Sequence, residues 1–188
     1  MPTGIPLIND RLVLWVVAEL HLLFAAFVLG APIFIVVCEY LGLRSGDARY
    51  ERLARETMKI VAISYSITAL FGGAMTFVLV GKYQELSNFL FQRFYPVFGL
   101  YATLLLVESS LMYVYWYTWD AMARRKALHI GIGVALNVVG IVVMALMNGV
   151  GSFMLTPPES VETATLWQLI NNATWTGLNL HRFIANIS

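Results

Sequence analysis

Four long apolar runs divide the chain and constrain its fold more than any other feature. An α-helix rises about 1.5 Å per residue, so about 20 apolar residues cross the hydrocarbon core of a bilayer. Each run reaches that length, and the four occupy residues 12–38, 58–81, 94–116 and 128–148. With 59% hydrophobic and 12% charged residues among 188, the chain has more apolar side chains than one small soluble core can bury. The sequence therefore predicts an integral membrane protein.

Short polar segments join the four runs, and each is too short to form a domain. Consecutive helices must therefore lie side by side and antiparallel. The predicted fold is all-α, a single membrane domain over residues 1–188 built as an up-down bundle of four transmembrane helices. The first run is longer than the apolar part of a cleaved secretory signal and follows no basic segment, so we expect it to be a retained anchor.

The basic residues predict the orientation of this bundle. Eight of the twelve Lys and Arg residues lie in or beside the first and third connections. By the positive-inside rule these two connections face the cytoplasm. The N-terminus, the second connection and residues 149–171 then face outward. The expected location is the inner (cytoplasmic) cell membrane, with the chain crossing it several times.

Two outward segments mix large apolar and polar side chains at helical spacing, namely QELSNFLFQRFYP and SVETATLWQLINNATW. The pattern predicts helices in the membrane interface, the second at about residues 160–180. Such helices either cover the rim of the bundle or cap a cofactor site. The chain after residue 166 is long enough for a fifth span, but its asparagines and Arg182 are costly in lipid. We expect a surface helix there that bends inward at His181.

Charge and cysteine content exclude several classes of function. A net charge of +1 does not provide the basic surface that nucleic acid binding requires. The single cysteine, Cys38, excludes both an intramolecular disulfide framework and a cysteine-rich metal site. The sequence contains no phosphate-binding glycine loop, nucleophile triad or metalloprotease motif, so hydrolytic chemistry has no support.

Polar side chains inside the apolar runs are functional candidates, because burying them in lipid is costly unless they find partners. A neutral imidazole is the usual protein ligand of heme iron between membrane helices, although a lone histidine is more often a hydrogen-bonded core residue. The candidates are Glu19, His21, Glu39, Glu108, His129 and Asn148, with His181 beyond the last run.

The three histidines differ in expected depth. His21 lies nine residues past Leu12, about 14 Å below the outer surface, with Phe24 one turn further on the same face. His181 is also on the outer side, so His21 and His181 can share one cofactor layer. His129 begins the fourth run at its inner end, and we interpret it as an interfacial residue beside the basic connection.

Glu108 is the carboxyl with the clearest expected chemistry. It lies about fourteen residues into the third run and therefore in the cytoplasmic half. An isolated buried carboxyl takes up and releases protons, which suits a relay. The alternative is a structural hydrogen bond to Ser109, to Ser110 or to a neighbouring helix.

In their order and spacing, several motifs resemble the N-terminal half of subunit I of the cytochrome bd quinol oxidases. The first run contains HLLFAAFVLG and closes with Glu39, and the second contains LFGGAMTF. The third contains VESSLMYVYWYTWD. His129 opens the fourth run and Asn148 with Gly149 closes it, and His181 follows an outward helix as a histidine does in that family.

This resemblance implies specific roles. His21 would be an axial ligand of one heme of the high-spin pair, and His181 an axial ligand of the low-spin heme b that takes electrons from quinol. Glu108 would belong to the proton path from the cytoplasm. The cofactors implied are heme b and, if oxygen is reduced, heme d.

This sequence departs from the family pattern in two ways that limit which family functions can be expected of it. Tyr101 stands where the family has a second glutamate, which serves the oxygen-reducing heme pair, so oxygen reduction stays open. The family's subunit also continues beyond the point where this chain ends, so we expect other membrane subunits, or a second copy of this chain, to complete the heme sites. The predicted function is a heme-bearing subunit of a bd-like, quinol-linked oxidoreductase. The alternatives are quinol-linked electron transfer to an acceptor other than oxygen, and a structural subunit that has lost its hemes.

Overall fold

The computed structural model describes residues 9–188, and these residues form helices and connections without any strand. Four long helices dominate: α1 (Asp10–Ser45), α2 (Ala48–Lys82), α3 (Gln84–Tyr117) and α4, which begins at Lys126 and ends at Leu155. Each is long and apolar enough to cross a membrane, and the four predicted runs lie inside them. The predicted outward placement of the N-terminus concerns residues 1–8, outside the described part.

The helices are longer than the apolar runs because the polar connections are themselves largely helical. Only residues 46 and 47 separate α1 from α2. Gly46 ends α1 with φ of 71°, a left-handed conformation that favours glycine. Asp47 then caps α2, its side chain accepting from the backbone N–H of Arg49 at 2.9 Å. Hydrogen bonds from the Arg49 side chain and backbone hold the pKa of Asp47 below its ordinary value.

The connections reverse the chain each time, so the four helices form the predicted up-down bundle. Each helix packs on the next, and α1 also packs on α4, which closes the ring. A short 3₁₀ turn, Ala123–Arg125, lies between α3 and α4. Helix α3 is kinked at Phe94, where the backbone leaves helical geometry two residues before Pro96. The ring of Pro96 removes a backbone donor there and explains the bend.

The chain after α4 differs from the single surface helix predicted at about residues 160–180. Two prolines, Pro157 and Pro158, follow α4, and residues 156–165 are not helical. Helix α5 (Leu166–Ile170) begins with a capping box between Thr165 and Gln168. Helix α6 runs from Trp175 to Ile187 and packs on α1 and α4. Its 13 residues rise about 20 Å.

The buried side chains fall into two clusters, one toward each end of the bundle. We call the end that contains the α1–α2 and α3–α4 connections the basic end, because Arg44, Arg49, Arg124 and Arg125 lie there. The cluster toward that end consists of Val28, Ile35, Cys38, Ala54, Met58, Val61, Met112, Tyr115, Trp119 and Leu136. The cluster at the opposite, outer end consists of Leu90, Phe94, Val97, Val150, Phe153, Leu169 and Ile170.

Helix α2 contributes to only one of these clusters. Its buried residues are Ala54, Met58, Val61 and Ser64, all in the half toward the basic end. The outer half of α2 is therefore more loosely covered than the rest of the bundle.

Candidate functional site

His21 lies between α1 and α2, where its ring contacts the α2 backbone. Its Nδ1 is 3.0 Å from the carbonyl oxygen of Thr68. A carbonyl only accepts hydrogen bonds, so Nδ1 must carry the hydrogen and donate it. In the neutral ring this leaves a lone pair on Nε2, the tautomer and second-shell bond typical of histidines that ligate metals.

A glycine gives the His21 ring its space. A Cβ at Gly72 would lie 3.0 Å from Cε1 of His21 and 3.2 Å from Nδ1. Any larger residue at position 72 would therefore press on the imidazole. One turn along α1, the ring of Phe24 stacks on Phe71 of α2, with centroids 6.2 Å apart. His21, a glycine that contacts its ring, and two stacked aromatic rings thus lie together in this part of the α1–α2 contact.

His181 lies on α6, with its side chain exposed. The face of α6 that meets the bundle carries Trp175, which donates to the carbonyl of Ala145 at 3.0 Å, and Asn179, which accepts from Asn148 at 2.9 Å. Among residues 9–188 the His181 ring has no hydrogen-bond partner. Its free nitrogens are available to a group outside this chain.

The structure places the two histidines on different sides of α1. His21 faces α2, whereas Gly30 of α1 is in close contact with the backbone of Asn186 in α6. Nine residues separate His21 from Gly30, about two and a half helical turns, so they lie on opposite faces. The arrangement fits one separate site for each histidine.

Glu108 is buried in the contact between α3 and α4. Its side chain lies against α4 at Gly140, where a Cβ would be 2.9 Å from Oε1 and 3.1 Å from Leu29. Ser109 instead bonds the carbonyl of Leu105 and the hydroxyl of Tyr65, and Ser110 bonds the carbonyl of Leu106. The structural hydrogen bond considered for Glu108 is therefore not made within the described residues.

A second group of titratable side chains is buried at the basic end. His129 is 0% exposed, and its Nδ1 is 2.6 Å from Oε1 of Glu39 while its Nε2 is 2.9 Å from the carbonyl oxygen of Tyr115. The Tyr115 hydroxyl donates to Oε2 of Glu39 at 2.7 Å. Lys126 completes the group, 3.3 Å from Oε1 of Glu39.

The interpretation of His129 as an interfacial residue needs correction. It does lie at the predicted end of the bundle and near Lys126, but it is enclosed by α1, α3 and α4 rather than exposed to the interface. Sequence reasoning missed its partnership with Glu39. A signal was present, because Glu39 closes the first run and His129 opens the fourth, which places both at the same depth.

The remaining polar candidates lie outside these two buried groups. Asn148 bonds Asn179 and so fixes α4 to α6. Glu19 is exposed on α1, and Tyr101 lies partly buried on α3. The described residues contain no cluster of three or more His, Cys, Asp or Glu side chains placed for a bare metal ion. A heme iron takes most of its ligands from its own macrocycle, so a heme does not require such a cluster.

The profile of the family described as cytochrome bd terminal oxidase subunit I matches residues 10–187. The chain belongs to this family. The structure of bd oxidase from Geobacillus thermodenitrificans shares the fold, with a TM-score of 0.83 at 18% sequence identity. That match covers 95% of this chain and 42% of the other, so this chain spans less than half of that relative's length. No curated protein matches the chain.

Membership of the bd oxidase subunit I family confirms the resemblance seen in the sequence motifs. It also makes the chain, with its four long apolar helices, an integral membrane protein. The matched region includes both His21 and His181, as well as Glu108 and the buried group at the basic end.

Proposed function

We propose that this chain is a heme-bearing subunit of a bd-like, quinol-linked oxidoreductase. In this proposal His21 is an axial ligand of one heme of a high-spin pair, and His181 is an axial ligand of a low-spin heme b. Heme supplies one-electron chemistry, because its iron cycles between ferric and ferrous states. The chain's own residues hold the iron at set positions and move protons to match the electrons.

The tautomer and surroundings of His21 carry this proposal. Donation from Nδ1 to Thr68 fixes the ring plane and leaves Nε2 with the lone pair that binds iron. Gly72 keeps the space beside the ring clear, and Phe24 with Phe71 offers flat apolar surface next to it. A purely structural histidine in a membrane helix would be expected to satisfy both ring nitrogens.

The exposure of His181 supports a partner for the second heme. If His181 on the outward face of α6 held a heme, another chain would be needed to cover it. A companion membrane subunit or a second copy of this chain would fill this role, and quinol would be the electron donor.

Glu108 would act as the proton relay from the cytoplasm. Its burial at the α3–α4 contact and the absence of a hydrogen bond within the described residues leave its carboxyl free to exchange protons. The concentration of arginines at the basic end supports the cytoplasmic orientation of that end, by the positive-inside rule. Protons would then enter from the inner face of the cell membrane.

Electron transfer to an acceptor other than oxygen is a second candidate, and the identity of residue 101 favours it. Tyr101 lies on α3 two turns before Glu108, on the same face. A phenol there does not replace the ionisable carboxyl that serves oxygen reduction in the family.

An optical spectrum of the purified native complex tests the proposal. Reduction should produce heme b bands, and His21→Ala should remove one heme while Glu19→Gln, an exposed change on the same helix, should remove none. Heme b bands together with a chlorin band would support oxygen reduction, and heme b bands alone would favour the second candidate. A complex without heme bands would refute both and leave a structural subunit.

A further inference from the structure

The buried pair formed by Glu39 and His129 must hold a proton between its two side chains. The Nε2 of His129 faces a backbone carbonyl, which only accepts, so Nε2 carries a hydrogen. The other nitrogen, Nδ1, is 2.6 Å from Oε1 of Glu39. Two lone pairs at that distance would repel, so one proton lies between them, on the ring or on the carboxyl.

Charged side chains in contact connect this pair to the exposed surface at the basic end. Lys126 is 3.3 Å from Oε1 of Glu39 and 2.5 Å from Oε1 of Glu51. The Lys126 side chain is 11% exposed, whereas that of Glu51 is 44% exposed. Exposure therefore rises stepwise from the enclosed pair through the ammonium to a carboxylate in contact with water.

On the inward side, the next polar groups along the α3–α4 contact lead toward Glu108. Tyr115 and Glu108 are seven residues apart on one face of α3, about two turns or 10 Å. Opposite them, Gly133 meets the Tyr115 ring and Gly140 meets the Glu108 carboxyl. Between those two glycines stands Asn137, whose Oδ1 is buried without a partner among the described residues. An orphan acceptor in that position suits an ordered water.

We propose that the Glu39–His129 pair is the proton-loading site for Glu108, which rests on the relay role in the proposed function. The pair receives a second proton from the Lys126 ammonium, which regains one from water by way of Glu51. It returns to its one-proton state when a proton passes through water at Asn137 to the Glu108 carboxylate. Each transfer moves one proton and leaves the number of electrons unchanged.

The competing explanation is that the group only clamps α1, α3 and α4 together. Glu39→Gln separates the two roles, because an amide can donate to Nδ1 of His129 and accept from Tyr115 while holding no transferable proton. The contact with Lys126 is weakened, but Lys126 keeps Glu51. Glu56→Gln is the matched control, since Glu56 is an exposed carboxylate at the same end, paired with Lys59.

The first measurement is proton uptake on heme reduction in the native complex, followed with a pH-indicator dye. Glu39→Gln should slow uptake about 100-fold, a typical size for loss of a positioned proton donor, and should leave the heme spectrum unchanged. Glu56→Gln should behave as the wild type. Normal uptake in Glu39→Gln with intact hemes would overturn the loading role and leave the clamp.

The second measurement does not depend on heme. The chain has only three histidines, so nitrogen NMR of histidine-labelled protein can resolve His129. The wild type should show both ring nitrogens of His129 bonded to hydrogen or sharing it, and Glu39→Gln should show a bare Nδ1. An Nδ1 in the wild type that neither carries a hydrogen nor accepts one from the Glu39 carboxyl would overturn the shared proton. A wild-type complex without heme would instead refute the proposed function, and the loading role with it, while the NMR result would still decide the shared proton.

Discussion

Replacing Gly72 with alanine tests the His21 site without touching the ligand itself. The new Cβ would lie 3.0 Å from Cε1 of His21, whereas ordinary contacts begin at 3.4 Å. The ring must therefore retreat by about 0.4 Å, the difference between those distances, and it must do so against its 3.0 Å bond to Thr68. The backbone cannot yield easily, because position 72 is inside α2.

We expect Gly72→Ala to lower the affinity for heme more than it lowers the free energy of unfolding. Alanine improves helix propensity by about 1 kcal/mol over glycine, which offsets a weakened hydrogen bond worth about 0.5–1.5 kcal/mol. The free energy of unfolding should thus change by less than about 1 kcal/mol. Disturbing the bond that orients a metal-ligating histidine typically lowers metal affinity about 10- to 100-fold. Gly72→Ala should therefore lose heme from a bundle that remains folded.

The assay is the heme content of purified complex per mole of protein, together with the reduced-minus-oxidised spectrum. The neighbouring glycine provides the control, because a Cβ at Gly73 would meet nothing within 4 Å. Gly73→Ala should keep the full heme content and a wild-type spectrum. If Gly72→Ala and Gly73→Ala retain heme equally, the contact between Gly72 and His21 does not hold a cofactor site, and our reasoning about that site is wrong.

Three further predictions address other parts of the chain. His181→Ala should remove the low-spin heme signal but leave the helical circular dichroism unchanged, because this side chain is exposed; an unchanged reduced spectrum would contradict the assignment. Glu108→Gln should slow turnover without loss of heme, and normal proton-coupled activity would exclude the relay. Gly133→Ala should unfold more easily than Gly131→Ala by about 1–3 kcal/mol in detergent, since its Cβ would lie 2.6 Å from Val36 of α1 and 2.8 Å from the Tyr115 ring, while position 131 is open. Equal stability of those two variants would contradict the packing of α1 and α3 against α4.

The sequence predicted the bundle well because lipid imposes a single strong requirement on it. Apolar runs of about 20 residues must be helices in a bilayer, and short connections must make them antiparallel. The helix ends were less predictable, since α2 starts at Ala48, ten residues before its apolar run begins. Hydropathy locates the membrane-embedded part of a helix but does not detect where a polar helical extension ends.

For the site residues, the sequence identified the candidates, but only the structure showed which of them are in contact. Polar residues within apolar runs could be found from the sequence, and His21, Glu108 and His129 all came from that rule. Which of them meet depends on helix rotation, and the weak amphipathicity of membrane helices does not fix rotation. The pairing of Glu39 with His129 therefore required the structure, as did the exposure of His181.

The uneven packing of α2 has a consequence for how the protein matures. All the buried residues of α2 lie between Ala54 and Ser64, toward the basic end, whereas His21 contacts the outer half at Thr68 and Gly72. The half toward the basic end is held by these buried side chains, whereas the half beside His21 exposes large apolar side chains such as Leu70 and Phe77. If a heme binds beside His21 as proposed, it would enter at the loosely packed half of α2 without unpacking the buried cluster toward the basic end.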